Sequence, residues 1–249
     1  EGEKILHDNE KLLLCQKHSK MRVLNLPVFY IPYIVTPSPL RKKRKSGFLN
    51  PSMNFNFFDT KVSQSTSLPY YFNISEDKEL TFTPTINYGG GVDSSQRFIF
   101  EYNQIISGGS LSTNLSVDSK IEEQNTNKWL SDASLVTNYN KKMSTKFSID
   151  FTSAFETSKN YIQSSKPSNS LSYASSLATK INLNGYYLRK IDDKLLVNFS
   201  TYQTNQNNDD NSSIPTVLPF VNYEAGVNRY NKFNYENKYE FYNIFRDKK

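Results

Sequence analysis

His7, Cys15 and His18 are the residue types that hold transition metals, and all three lie near the N-terminus. A tetrahedral zinc site needs four ligands at set spacings. These residues show no such spacing and no fourth ligand stands close by, so no metal and no cofactor are expected. Cys15 is the sole cysteine, which excludes a disulfide within the chain. The acidic pairs Glu122-Glu123, Asp192-Asp193 and Asp209-Asp210 could act as general acids or bases only beside a histidine or a nucleophile. Both histidines lie far upstream of them. No catalytic residue is assigned, and the chain is read as not an enzyme.

The remaining reactive feature is cationic. Arg41, Lys42, Lys43, Arg44 and Lys45 form one run, bracketed by Pro37-Ser-Pro39 and Ser46-Gly47. A nucleic-acid binder spreads its cations over a face and interleaves aromatic platforms. Here the basic run is local and the net charge is only +6, so no nucleic-acid partner is expected. The run reads first as a solvated turn.

The elements that position these residues read as strands. Tyr and Phe number 17 each, and Ser, Asn and Thr are abundant. A polar chain with aromatic and β-branched residues spread evenly fits an all-β fold with one wet face. No apolar run is long enough for a membrane helix. The longest, Val28 to Val35, is broken by Pro32 and suggests a strand buried on both faces. Glu1-Gly-Glu-Lys lacks the features of a signal peptide. Lys4 to Asp8 already reads as mid-strand and the chain ends in mid-pattern at Phe245-Arg-Asp-Lys-Lys. A piece of a longer precursor is therefore expected.

Up to about Lys45 the chain shows short strand-like pieces, Lys11 to Gln16 and Lys20 to Leu26, with a turn at His7-Asp-Asn-Glu. From Gly47 it changes to long two-residue alternation. Leu80, Phe82, Pro84, Ile86 and Tyr88 alternate with Thr81, Thr83, Thr85 and Asn87. Phe147, Ile149 and Phe151 alternate with Ser148, Asp150 and Thr152, and Leu195, Val197 and Phe199 with Leu196, Asn198 and Ser200. Each run is about as long as a strand that crosses a membrane. Tight connections (Ser75 to Lys78, Ile106 to Gly109, Asn140 to Lys142, Arg189 to Asp193) take turns with longer polar ones. The longer set is Asp59 to Thr66, Gly89 to Ser95, Ser119 to Lys128, Glu156 to Ser168 and Gln203 to Ser213. Short turns at one end and long loops at the other are the habit of outer-membrane barrels. The expectation is about ten or eleven strands. Tyr70, Tyr71, Phe72, Tyr88, Trp129, Tyr139, Tyr186 and Tyr187 near strand ends read as interfacial girdles, or as ordinary cross-strand packing.

Four motifs carry a resemblance. Pro27-Val-Phe-Tyr-Ile-Pro-Tyr33, Arg44-Lys-Ser-Gly-Phe-Leu-Asn-Pro-Ser52, Leu68-Pro-Tyr-Tyr-Phe-Asn-Ile-Ser75 and Leu80-Thr-Phe-Thr-Pro84 occur in this order. In this order they resemble the LPS-assembly outer-membrane protein family (LptD, also called the organic-solvent-tolerance or Imp family). The likeness runs from about Lys4 to Tyr88, with Leu218-Pro-Phe-Val-Asn-Tyr223 as a weaker echo. It implies an internal fragment: residues 1–45 as the last strands of a periplasmic β-jellyroll with its linker, and residues 46–249 as the first part of an antiparallel transmembrane β-barrel. It implies a Gram-negative outer-membrane location and a role in lipopolysaccharide transport. The implied partners are lipopolysaccharide, a plug lipoprotein (LptE-like), a periplasmic bridge protein (LptA-like) and outer-membrane lipid.

The resemblance also implies site residues. Pro51 and Pro69 match the family's two gate-strand prolines and lack the N–H that a strand ladder needs. They are expected at a lateral gate between the first and last barrel strands. Arg41 to Lys45 become candidates for lipid-phosphate contact, beside the solvated-turn reading. Val28, Tyr30, Ile31 and Ile34 become candidates for an acyl-chain groove, beside ordinary jellyroll core. The family's stapling disulfides do not map onto Cys15. Two other classes stay open: a passive porin-like channel, which needs neither a jellyroll nor prolines at the first seam, and a soluble β-sandwich adhesin or binding module.

Overall fold

The computed structural model describes residues 4–23, 26–38, 44–58, 61–89, 95–120, 132–159, 161–162, 174–188, 192–205 and 211–246. It divides into two compact units, Glu1–Phe100 with Lys120–Asn125, and Glu101–Ser119 with Thr126–Lys249. Nearly all of its regular structure is antiparallel strand.

The first unit opens with a small sheet of β1 (Lys4–Asp8), β2 (Leu13–Val23) and β3 (Leu26–Pro37), in that order. The β1–β2 turn is fixed by Asp8, whose carboxylate accepts the backbone N–H groups of Glu10 (3.1 Å) and Lys11 (2.9 Å). A short acidic side chain at that place stabilises a turn by mimicking backbone pairing.

Two expectations for this sheet are corrected. Pro32 does not break the apolar run, since β3 passes through it. An edge strand tolerates a missing donor, and β3 is at the edge. The ladder runs from Lys17 opposite Tyr33 to Ser19 opposite Ile31, and His18 between them takes a φ of +50°. Nor is β3 buried on both faces: Tyr30 and Tyr33 are 50% and 54% exposed. A continuous apolar run implies burial only when strands or layers cover both sides, and an edge strand lacks that cover.

The rest of the first unit holds β4 (Gly47–Phe48), β5 (Ser52–Phe58), β6 (Lys61–Ser67), β7 (Tyr70–Ser75) and β8 (Lys78–Gly89). β5 pairs with β6, β4 pairs with β7, and both β6 and β7 pair along β8. The long loop expected over Asp59 to Thr66 is mostly strand β6. Its Ser, Gln and Thr residues look like loop composition, yet they suit a strand with a wet face. β9 (Ser95–Ile106) carries the chain onward, and Phe82 of β8 packs on its Phe100 at 4.9 Å between ring centres.

The second unit is a meander of β10 (Gly109–Lys120), β11 (Asp132–Lys142), β12 (Phe147–Glu156), β13 (Ser176–Tyr186), β14 (Lys194–Thr204), β15 (Thr216–Tyr230) and β16 (Phe233–Phe245). Each pairs with the next. Short turns join β11 to β12 and β15 to β16, while longer connections follow β10, β12 and β14. The β9–β10 turn requires Gly108, whose φ is +77° and whose Cβ would stand 2.8 Å from the Lys142 carbonyl oxygen. Counting β4 with β5, and β6 with β7, as interrupted single strands, Gly47 onward has eleven strands among the described residues. That lies within the expected ten or eleven.

One carboxylate organises the end of this meander. Asp193 is 2% exposed and accepts the Gly226 N–H at 2.8 Å and the Tyr223 hydroxyl at 3.1 Å. Gly226 lies where the β15–β16 register shifts, between Ala225 and Asn228. A Cβ on Gly226 would meet the Asp192 Cβ at 2.7 Å. The acidic pair that looked like loop carboxylates thus locks a bulge. Asp193→Ala leaves a buried N–H without its acceptor and is expected to destabilise the folded protein by about 1–3 kcal/mol. Denaturant titration of the full-length protein, followed by its heat-modifiable gel mobility, checks this; an unchanged midpoint excludes the lock.

Candidate functional site

The faces of the second unit's sheet are inverted relative to a soluble protein. Ser116, Ser134 and Glu156 stand opposite one another across β10, β11 and β12, and all are buried. Leu115, Leu135 and Phe155 form the neighbouring row on the other face, where Leu135 and Phe155 are exposed. Side chains alternate between faces along a strand, so in these rows polar groups sit on the covered face and large apolar ones on the open face, while Ala154, Ile162 and Leu177 form a small buried apolar cluster. Farther along, the covered face carries a polar ladder. Asn184 Nδ2 donates to Asp150 Oδ2 at 2.6 Å, and Asn198 Nδ2 donates to Asn182 Oδ1 at 2.6 Å. The other face carries the rows Ile149–Leu183–Val197–Val221–Phe241 and Phe151–Ile181–Phe199. The covered face closes over Tyr161, which donates to Asp118 Oδ1 at 2.7 Å, and over Ile162, whose N–H donates to Glu156 Oε2 at 3.0 Å.

The two sequence-predicted gate prolines lie at the same height in the first unit. Pro69 stands between β6 and β7, and Pro51 directly before β5, the edge strand of its sheet. Leu49 N–H donates to the Pro69 carbonyl at 2.9 Å, and Pro69 has no N–H to return. Leu68 N–H donates to the Pro84 carbonyl at 3.2 Å, and Pro84 likewise returns nothing. The ladder also slips by one residue here. Phe48 is opposite Tyr70 but Ser52 is opposite Ser67, so three residues on one side face two on the other. Such a bulge bends a strand and weakens its pairing. Pro51, Pro69 and Pro84 therefore form one transverse band of thinned pairing across the first three strands. Pro84 went unassigned in the sequence because its motif read as plain alternation. The signal for it was its place in the third strand beside a two-proline pattern.

Below this band, a cleft of about 470 Å³ opens between the small sheet and the first strands. Leu13, Tyr33, Ile34, Phe48 and Tyr70 give it an apolar and aromatic lining, and Lys45 supplies a cation. Phe48 meets Tyr70 edge-on at 4.9 Å, and Tyr70 meets Phe72 at 4.6 Å. Beside the cleft, Arg44 Nη1 donates to Glu79 Oε2 at 2.5 Å, and the Tyr71 hydroxyl donates to the same oxygen at 2.9 Å. The Asn73 N–H donates to Ser46 Oγ at 2.9 Å, and Asn73 Nδ2 to the Arg44 carbonyl at 3.3 Å.

The remaining predicted residues distribute as follows. Arg41, Lys42 and Lys43 lie outside the described residues, as does Trp129. Val28 is in β3, and its side chain is outside the described residues. Ile34 lines the cleft. Tyr30 instead holds His18, with Nδ1 and the phenol oxygen 2.5 Å apart. Ile31 is half-buried opposite Ser19. Tyr71 lies one residue from Tyr70 and Phe72, hence on the other face, and its hydroxyl is engaged with Glu79, so it leaves the expected girdle. His7 pairs with Ser38 Oγ at 3.0 Å. Tyr33 lies diagonal to Cys15 across the β2–β3 ladder, and its phenol pKa is raised above the ordinary value chiefly by its hydrogen bond with Cys15. The two histidines and the cysteine thus have separate partners, and among the described residues no cluster of metal-binding side chains forms.

An all-β antiparallel sheet with a polar covered face and an aromatic open face defines the barrel-wall class of strand protein. Within that class the chain is similar to one family. It is 37% identical over 108 residues to LPS-assembly protein LptD of Shewanella sp. (strain ANA-3), covering 43% of this chain and 14% of that protein. It is 39% identical over 98 residues to LPS-assembly protein LptD of Shewanella oneidensis, covering 39% of this chain and 12% of the relative. The protein of the same name from Photobacterium profundum is 32% identical over 114 residues, 45% of this chain and 13% of its own length. The aligned stretch is thus 14% or less of the length of each of these relatives. No protein-family model matches the chain. These matches bear out the resemblance carried by the motifs, and the relatives are named for assembly rather than for an enzymatic reaction.

The inverted faces give a direct test. Ile181→Arg places a charge on the open apolar face. It is expected to cost about 2–4 kcal/mol of folding stability in a bilayer, whereas Lys180→Gln on the other face costs close to nothing. Urea titration of the full-length protein folded into lipid vesicles measures both. Equal effects argue for a soluble sandwich.

Proposed function

We propose that this chain forms the junction and first strands of an outer-membrane lipopolysaccharide translocon. Residues 1–45 are read as the end of a periplasmic jellyroll and residues 46–249 as the first part of the barrel. Lipopolysaccharide passes from a periplasmic bridge protein (LptA-like) into the jellyroll and leaves sideways into the outer leaflet, with a plug lipoprotein (LptE-like) inside the barrel. The observation that carries the reading is the proline band at the edge of the sheet, above an apolar cleft with one cation at its side.

The physics suits a lateral exit. A membrane-crossing sheet is held by its ladder, because hydrocarbon offers no substitute partner for an N–H. Each bond that Pro69 and Pro84 cannot make removes about 1 kcal/mol from the pairing of the first three strands. The missing Pro69 donor faces β4, not the sheet's outer edge. The band therefore softens the first strand against the second, so that the edge strand can bend away from a closing partner. In the cleft, Ile34, Phe48 and Tyr70 suit an acyl chain, and Lys45 suits a lipid phosphate. A passive porin gains nothing from either feature.

Pro51→Ala and Pro69→Ala in the full-length protein are expected to lower surface lipopolysaccharide and to raise sensitivity to bulky hydrophobic antibiotics. Unchanged surface lipopolysaccharide removes the gate from the proposal. Photo-crosslinking from Phe48 to lipopolysaccharide separates a translocon from a porin.

A further inference from the structure

Among the described residues of the basic run, Arg44 and Lys45 touch different things. Arg44 is committed to Glu79, at 2.5 Å, and Tyr71 completes that carboxylate oxygen. Ser46 and the Arg44 carbonyl hold Asn73 through two further hydrogen bonds. Residues Arg44 to Ser46 are thus fastened to the β7–β8 hairpin by side-chain and backbone contacts together. Lys45 between them lines the cleft instead.

The strand that follows has little ladder of its own before the slip. β4 is two residues long, and its ladder consists of Gly47 opposite Tyr71 and Phe48 opposite Tyr70. Two residues of pairing are far below what an independent strand needs. Gly47 and Phe48 are also walls of the cleft. Whatever keeps β4 docked keeps the cleft formed. The Arg44–Glu79 pair alone is weak, since Arg44 is 60% exposed and solvent screens it. Its strength lies in acting with the Ser46–Asn73 bonds on the same short segment.

We propose that Arg44 is a positioning residue: it clasps the segment entering β4 onto the β7–β8 hairpin and so holds the cleft wall in place. It acts on Glu79 rather than on a lipid phosphate, while Lys45 beside it lines the cleft. The geometry of the clasp stands by itself, and its consequence for transport rests on the translocon reading.

The test uses the full-length protein with its co-purifying partners. Glu79→Gln removes the ion pair and leaves every trypsin site intact. Proteolysis follows the population of the opened segment, so cleavage after Arg44 and Lys45 is expected to rise about 1.5-fold to fivefold. Surface lipopolysaccharide is expected to fall in the same variant. Arg44→Glu combined with Glu79→Arg restores the pair with its charges exchanged. It should return both cleavage after Lys45 and surface lipopolysaccharide toward the parent. Unchanged cleavage in Glu79→Gln overturns the clasp, and so does an assembled double variant that recovers neither readout. Faster cleavage with unchanged surface lipopolysaccharide overturns the positioning role. If depletion of the parent protein leaves surface lipopolysaccharide unchanged, the translocon reading fails while the cleavage result still stands.

Discussion

A backbone N–H that faces hydrocarbon has no water to bond to, so a membrane-crossing sheet depends on a complete ladder. The second unit obeys this constraint over most of its meander, with long runs of matched partners from β10 to β14. The first three barrel-side strands relax it around their prolines and again where β7 and β8 shift register between Asn73 and Ser75. Pro69 and Pro84 each accept a ladder bond without returning one, and the register slips between Phe48 and Ser52. Beside the slip, β5 pairs with β6 from Ser52 to Phe58 and β6 with β8 from Ser63 to Ser67.

The second constraint is the choice of face. In water, Phe155 and Leu135 would be buried and Glu156 and Ser134 exposed. The structure has the reverse. The cost of covering Glu156 is met locally, since its carboxylate accepts the Ile162 N–H. Asp118 is met in the same way by Tyr161. These pairings show how a covered face can be polar without losing stability: each buried charge faces a donor from the loop folded over it. The open face needs no partners if lipid covers it, which is why aromatic and β-branched rows suffice there.

Much of this was legible in the sequence because strand alternation has a period of two and survives any detail of packing. Phe147-Ser-Ile-Asp-Phe and Leu195-Leu-Val-Asn-Phe show which residues share a face before any register is known. What the sequence could not show were contacts that join distant residues. Asp192-Asp193 looked like solvated loop acid because its partner, Gly226, lies in another strand. Asp59 to Thr66, most of which is strand, looked like a loop because a wet-faced strand and a polar loop share a composition. Pro32 looked like a break because position within a sheet, not composition, decides whether a missing donor is tolerated.

The basic run shows most clearly why charge alone is a poor guide to function. Composition treats Arg44 and Lys45 as equivalent, and both were candidates for lipid phosphate. A guanidinium is a planar fork that suits a fixed carboxylate, whereas an ammonium is a mobile point charge. Arg44 meets Glu79, thirty-five residues away, and the neighbouring ammonium lines the cleft. The division follows the chemistry of the two groups. The residue with directional bonding fixes the backbone, and the residue without it is left on the cleft wall. If the cleft takes a lipid, as proposed, a flexible ammonium follows a moving headgroup where a second guanidinium would lock it.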